Sequence, residues 1–288
     1  MEKRSKNINV FLMDGDSNGR IKCTLSNWTG VAFKIPRIEL EKCKNRKDLK
    51  QSGVYFLFGV SDNDENIVYI GKASERINGE GILSRLQEHN KNIKNEDWKE
   101  YWREAVVFTT SNHSFGQTEI SYLEHHFYEL AKKSNRYITK NSNSTNPGNI
   151  TEEKESELEE YIDYAKIIIG VLGYKIFKPL NESEENDDNE KKEIFYLKRK
   201  EADARCKRTT EGFVVLKGSK INKENKTSLN EKQREQREKA DLENNILKTD
   251  KWFPSPSSAA VFVLGYAANG WIEWKNKEGK TLKEINNS

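Results

Sequence analysis

Apolar positions along this chain switch between a period of two and a period of three to four, and the switches mark its elements. Residues 9–13, 20–25 and 31–36 are short apolar or alternating runs separated by polar turns, which predicts three strands. The first turn, residues 14–19, has the composition of a calcium loop. It lacks the closing glutamate and the flanking helices such a loop needs, so a hairpin turn is expected. Residues 37–50 read as a short helix.

Residues 53–59 are apolar and aromatic, residues 61–66 are polar, and residues 66–71 are apolar again, which predicts a hairpin. A loop with Gly79 and Gly81 leads to Ile82, Leu83, Leu86 and His89, spaced as one face of a helix. A strand over 105–110 follows. Ile120, Leu123, Phe127 and Leu130 then line one side of a helix over 118–133. Residues 152–173 read as a helix whose acidic start suits its dipole. Residues 181–193 are too polar to join a core and read as a linker. Strands resume at 194–197 and 212–216, a charged helix is expected over 229–247, and another begins at Ser255.

These elements predict an α+β chain in four parts: a β-rich extension (1–50), a central module (51–148), a helix with an acidic linker (149–193) and a C-terminal α+β domain (194–288). Charge adds a second division. Residues 1–50 carry 12 basic and 6 acidic groups, and residues 191–288 carry 22 and 14, whereas residues 151–190 carry 4 and 13. Basic ends on either side of an acidic segment suit contact with a polyanion, or simply a solvated surface. The absence of a long apolar run argues against a membrane span. Three dispersed cysteines and no leader-like start fit a reduced cytoplasmic setting.

The central module holds the candidate chemistry. Tyr55 and Tyr69 fall on the two predicted hairpin strands, with Gly71 and Lys72 at the end of the second. Arg85 and His89 are four apart, hence neighbours on one helix face. Glu124 sits on the shoulder of the later apolar helix face, where a carboxylate is costly unless paired or bound to metal. A base, cations that offset phosphate charge and a hard oxygen ligand are what phosphodiester hydrolysis requires. A single carboxylate with several waters suits Mg²⁺ or Mn²⁺. Gly71 is small enough to admit a phosphate. Arg76 competes weakly with Arg85, and Glu119 with Glu124. All four histidines lie within 89–126, but no cysteine or carboxylate accompanies them at zinc-ligand spacing.

The order and type of these residues resemble the GIY-YIG nuclease family. Gly53, Val54 and Tyr55 stand for its first motif, with valine for isoleucine. Tyr69, Ile70 and Gly71 match the second, and Arg85, His89 and Glu124 match its helix residues. The resemblance covers about residues 51–148 and implies a small three-stranded antiparallel sheet flanked by helices. It implies Tyr69 as the base that activates water and Tyr55 as its hydrogen-bonding assistant. Lys72, Arg85 and His89 would contact phosphate, Glu124 would hold one divalent metal, and Asn141 matches a late asparagine of the module. Gly71, Lys72, Arg85 and Asn141 are thus the expected substrate contacts. The flanks also resemble a bacterial subgroup with an N-terminal β extension and an uncharacterised C-terminal domain.

The expected activity is metal-dependent endonucleolytic cleavage of DNA, with a homodimer where both strands are cut. The alternative is an inactive nucleic-acid-binding or interaction subunit of a repair, restriction or defence system. In the C-terminal part, Trp271 and Trp274 read as core. Lys275, Lys277 and Lys280 are left open between nucleic-acid contact and solvation, as is the charged stretch 229–247.

Overall fold

A computed structural model of the chain describes residues 5–62, 64–75, 80–91, 97–141, 146–179, 193–209 and 212–286. It divides into two compact units, Met1–Phe177 and Lys178–Ser288. The α+β class expected from the sequence holds.

The first unit contains β1 (Ile8–Leu12), β2 (Ile21–Leu25), β3 (Gly30–Pro36), β4 (Gly53–Val60) and β5 (Asn66–Ala73). Helix α1 (Ile82–Lys91), β6 (Trp102–Thr110), α2 (Gln117–Ser134), β7 (Ile138–Thr139) and α3 (Glu152–Val171) complete it. Its seven strands form one sheet in the order β1-β2-β3-β6-β4-β5-β7. Every neighbouring pair is antiparallel except β5 with β7. The sheet is therefore wider than the three strands expected. The hairpin β4–β5 and β6 do pair, but β3 extends the same ladder along β6 from Gly30↔Thr110 to Pro36↔Glu104. The N-terminal strands thus continue the sheet of the central module, and α3 packs in the same core, so residues 1–177 fold around one sheet.

Both faces of this sheet are covered. Val54, Phe56 and Phe58 of β4 join Val68 and Ile70 of β5 against α2 and α3. Tyr55 and Leu57 point the other way, with Phe33, Val107 and Leu86 of α1. Burial on both faces is why β4 reads as an unbroken apolar run rather than an alternating one. The segment expected as a short helix at 37–50 forms two 3₁₀ turns, Arg37–Cys43 and Lys47–Leu49, whose Leu40, Cys43 and Leu49 close the α1 side.

The second unit contains β8 (Ile194–Arg199), β9 (Ala202–Thr209), β10 (Gly212–Val215), α4 (Glu231–Glu238), β11 (Leu242–Glu243) and β12 (Ile246–Leu247). It ends with β13 (Lys251–Phe253), α5 (Pro256–Leu264), α6 (Gly270–Glu273) and α7 (Leu282–Asn286). Its main sheet runs β13-β10-β9-β8, all antiparallel. Helix α5 starts at the expected Ser255, whose hydroxyl accepts from the Ser258 N–H, with Pro256 at the first helical position.

The helix expected over 229–247 is shorter. It stops at Glu238, and the chain turns back through Asn244 and Asn245, both left-handed (φ 51° and 62°), to pair β11 with β12. Two consecutive left-handed residues make a two-residue hairpin turn. The predicted acidic linker 181–193 lies, apart from Glu193, outside the described residues. Among the described residues, no helix is long and apolar enough to cross a membrane.

Candidate active site

The β4–β5 register pairs Tyr55 with Gly71 and Leu57 with Tyr69, so the two tyrosines are diagonal neighbours on one face. Their ring centroids lie 6.2 Å apart. Tyr55 is fully buried, whereas Tyr69 is half-buried. Gly71 was expected to admit a phosphate. It is instead buried, and a Cβ on it would overlap the Tyr55 hydroxyl. Gly71 is small because the Tyr55 ring lies across it.

Helix α1 is seated on this face by two contacts. The Ile82 N–H donates to the Gln51 carbonyl at 3.2 Å, and Gly53 leaves room for the Ile82 side chain, which an added Cβ would strike. This seating brings Arg85 and His89 to the tyrosines despite the long preceding loop. His89 is 4% exposed and its Nε2 lies 2.8 Å from the Tyr55 hydroxyl. Its ring centroid is 5.1 Å from that of Tyr69. Arg85 hydrogen-bonds the same Tyr55 oxygen and also donates to Glu88 at 2.7 Å.

Charge follows from this geometry. Burial, then the neighbouring Tyr69, pushes the Tyr55 phenol well above its ordinary range, and Arg85 only partly offsets them. Tyr55 is therefore a neutral hydrogen-bonding phenol. Burial alone would lower Arg85, but its bonds to Glu88 and Tyr55 outweigh burial and hold it firmly cationic.

Lys72 alternates to the opposite face of β5, toward α2, and meets Glu124 there at 2.9 Å. The Glu124 side chain is 12% exposed, so the ion pair answers the cost of placing a carboxylate on that shoulder. Glu124 still acts across the strand, since its charge contributes to raising Tyr55. The two groups communicate around an edge. On its outer side β5 pairs with β7 only at Ile67 and Val68, and beyond Ile70 no strand follows among the described residues. Asn141 secures that edge. Its Oδ1 accepts from the Ile70 N–H at 3.2 Å, and its Nδ2 donates to the Ile70 carbonyl at 2.6 Å. It was expected as a substrate contact, but its carboxamide is engaged in both directions with the backbone between Tyr69 and Gly71.

The structure thus brings together Tyr55, Tyr69, Arg85 and His89 on one face, with Lys72 and Glu124 round the edge. Glu119, the competing carboxylate, accepts from the Gly116 N–H at the start of α2. Arg76 lies outside the described residues. Glu88, which holds Arg85, was not anticipated, although its spacing of three from Arg85 is the available signal. Among the described residues no group of three or more His, Cys, Asp or Glu could enclose a metal. His126 stacks on Tyr122 at 3.9 Å. The three cysteines are buried and free. A cleft of about 400 Å³, walled by Trp28, Phe115, Tyr161 and Tyr164, shares no residue with this site. Its Glu119, Glu157 and Glu160 also make it a poor seat for a polyanion.

Residues 195–286 match a family described as Domain of unknown function (DUF4357). The match runs from β8 to α7, within the 194–288 segment set apart from the sequence. No curated protein and no solved structure matches the chain.

Proposed function

We propose that the first unit is a divalent-metal-dependent endonuclease of GIY-YIG type that hydrolyses DNA phosphodiester bonds. The observation that carries this reading is the division of labour between the tyrosines. One is kept neutral by its burial while hydrogen-bonded to Arg85 and His89, and the other is half-buried beside them at an open strand edge.

In this reading Tyr69 takes the proton from the attacking water. An ordinary phenol loses its proton near pH 10, so Tyr69 needs positive neighbours, which Arg85 and Lys72 supply. The water oxygen bonds to phosphorus as the opposite P–O ester bond breaks, and the departing oxygen is protonated from solvent. Arg85 stabilises the charge that gathers on the non-bridging oxygens. Glu124 is the residue that would hold Mg²⁺ or Mn²⁺. A lone carboxylate fits a hard ion that keeps most of its own waters, and Lys72 would give up its partner to it. Such an ion, when bound, adds Lewis-acid stabilisation of the phosphate.

The test is conversion of supercoiled plasmid to nicked circles. Wild type is expected to nick with Mg²⁺ or Mn²⁺. Tyr69→Phe and Glu124→Ala are expected to fall by about 10²–10⁴-fold with unchanged circular dichroism. No nicking by wild type with either metal sinks the proposal, as does full activity of Glu124→Ala. The Lys72–Glu124 pair favours a second reading, in which the site binds DNA but does not turn over because its carboxylate is already neutralised. Binding without nicking supports it.

A further inference from the structure

The two faces of the second unit's sheet differ: among the described residues one is packed, and the other holds exposed Trp252 and Arg205 beside a buried Val214. Phe195, Ala204, Cys206, Phe213, Val215 and Phe253 pack against α5, with Trp274 and Leu282 closing the same core. Trp274 donates its indole N–H to the Pro256 carbonyl at 3.0 Å, so the tryptophan read as core is core. The alternate residues of the same strands face the other way.

Their register places an aromatic group on each outer strand and cations on the strand between. Trp252 on β13 lies opposite Val214, Val214 opposite Lys207, and Tyr196 on β8 opposite Arg205. The Trp252 indole is held down against the sheet at Gly212, where an added Cβ would come within 3.0 Å of its Nε1. Gly212, at φ 144°, has a backbone few other residues adopt. Trp252 is nonetheless 36% exposed. Tyr196 is half-buried and Arg205 is exposed, its guanidinium reaching the Lys217 carbonyl at 3.3 Å. The acidic group on this face, Asp203, is paired with Lys198 at 3.3 Å. Three strand spacings across and two residues along put Tyr196 and Trp252 about 16 Å apart.

We infer that this open sheet face binds a single-stranded polynucleotide, with bases stacking on Trp252 and Tyr196 and phosphates meeting Arg205 and Lys207. Aromatic platforms with cations between them suit unstacked bases on a charged backbone, whereas a duplex hides its base faces. The excess of 22 basic over 14 acidic residues across 191–288 gives the complementary charge. This site lies in the second unit and does not depend on the nuclease reading of the first.

The experiment uses the full chain in EDTA, so that cleavage is silent. Fluorescence anisotropy follows labelled oligothymidylate, oligouridylate and a duplex of equal length. Either single strand, the two arms reporting the sugar preference, is expected to bind at least about tenfold more tightly than the duplex. Trp252→Ala and Tyr196→Ala are each expected to weaken binding about tenfold, and Trp252→Phe to restore most of it. Arg205→Ala combined with Lys207→Ala is expected to lower the log–log salt slope by about 1.4. The inference is overturned by absent binding, by equal affinity for duplex, or by unchanged affinity of folded Trp252→Ala. Displacement of the strand by polyglutamate as readily as by unlabelled oligonucleotide also overturns it, since the face would then read negative charge alone.

Discussion

The two sheets of this chain solve the same problem differently. The first is covered on both faces, and its polar groups Tyr69 and Lys72 stand toward the end of β5, whose outer edge Asn141 holds at Ile70. The second carries aromatic groups on its two outer strands and cations on β9 between them, on the face away from α5. A group on an interior strand of a sheet covered on both faces is enclosed, which permits a buried phenol such as Tyr55 on β4. A group on an open face stays in water. Enclosure suits a reaction centre, and an open face suits a long flexible ligand.

The contrast breaks most visibly at Gly71. Gly71→Val drives a side chain into Tyr55, and is expected to cost about 1–3 kcal/mol of stability by overpacking. Arg205→Ala on the open face is expected to stay within about 0.5 kcal/mol. Urea unfolding of the two variants in parallel measures this. Equal losses would mean that the first sheet yields as readily as the second exposes.

Alkaline pH is the next lever. The phenols of Tyr55, Tyr161 and Tyr174 are all raised, in each case by burial first. Above about pH 10 the unfolded chain loses these protons while the folded chain keeps them. The unfolded state then binds fewer protons, so stability falls as pH rises, by about 1.4 kcal/mol per pH unit for each such phenol. Below about pH 10 the effect vanishes. Urea midpoints taken across this range, for wild type and for Tyr161→Phe, are expected to differ by a constant offset below about pH 10, where the variant lacks the hydrogen bond to the Thr109 carbonyl, with the variant falling less steeply on the alkaline side.

A smaller loss than that of Gly71→Val is expected for Asn141→Ala. It removes two hydrogen bonds to Ile70 at a partly exposed edge, for about 1–2 kcal/mol. Because the loss falls beside Tyr69, the nicking rate is expected to drop more than the melting temperature suggests. An unchanged rate would mean that the edge holds itself.

Much of this was legible because local patterns sufficed. Arg85 and His89 share a helix face by spacing alone, and the alternating positions of the β4–β5 hairpin put Tyr55 and Tyr69 on one side. The width of the first sheet was not legible. Each N-terminal strand could be read, but β6 entering between β3 and β4 is a matter of long-range pairing. Strand β9 was missed for a different reason. Its inward positions are Ala202, Ala204 and Cys206, small residues that alternate with charged ones and leave little apolar signal. Missing β9 hid the open face too, because Arg205 and Lys207 acquire a side only once the strand exists. The roles of Gly71 and Asn141 were misread because both depend on what the partner strand or a distant loop brings to them.

The Asn141 clamp also has a consequence in time. It joins positions 71 residues apart, so the backbone beside Tyr69 cannot be fixed until the chain as far as Asn141 has been made and has folded back. Contacts of such separation form late, after local hairpins and helices. A ribosome that has delivered both tyrosines, Arg85 and Glu124 has still not delivered the residue that sets the strand. At roughly 5–20 residues per second, that leaves an interval of about a second or more in which a growing chain carries these side chains without their alignment.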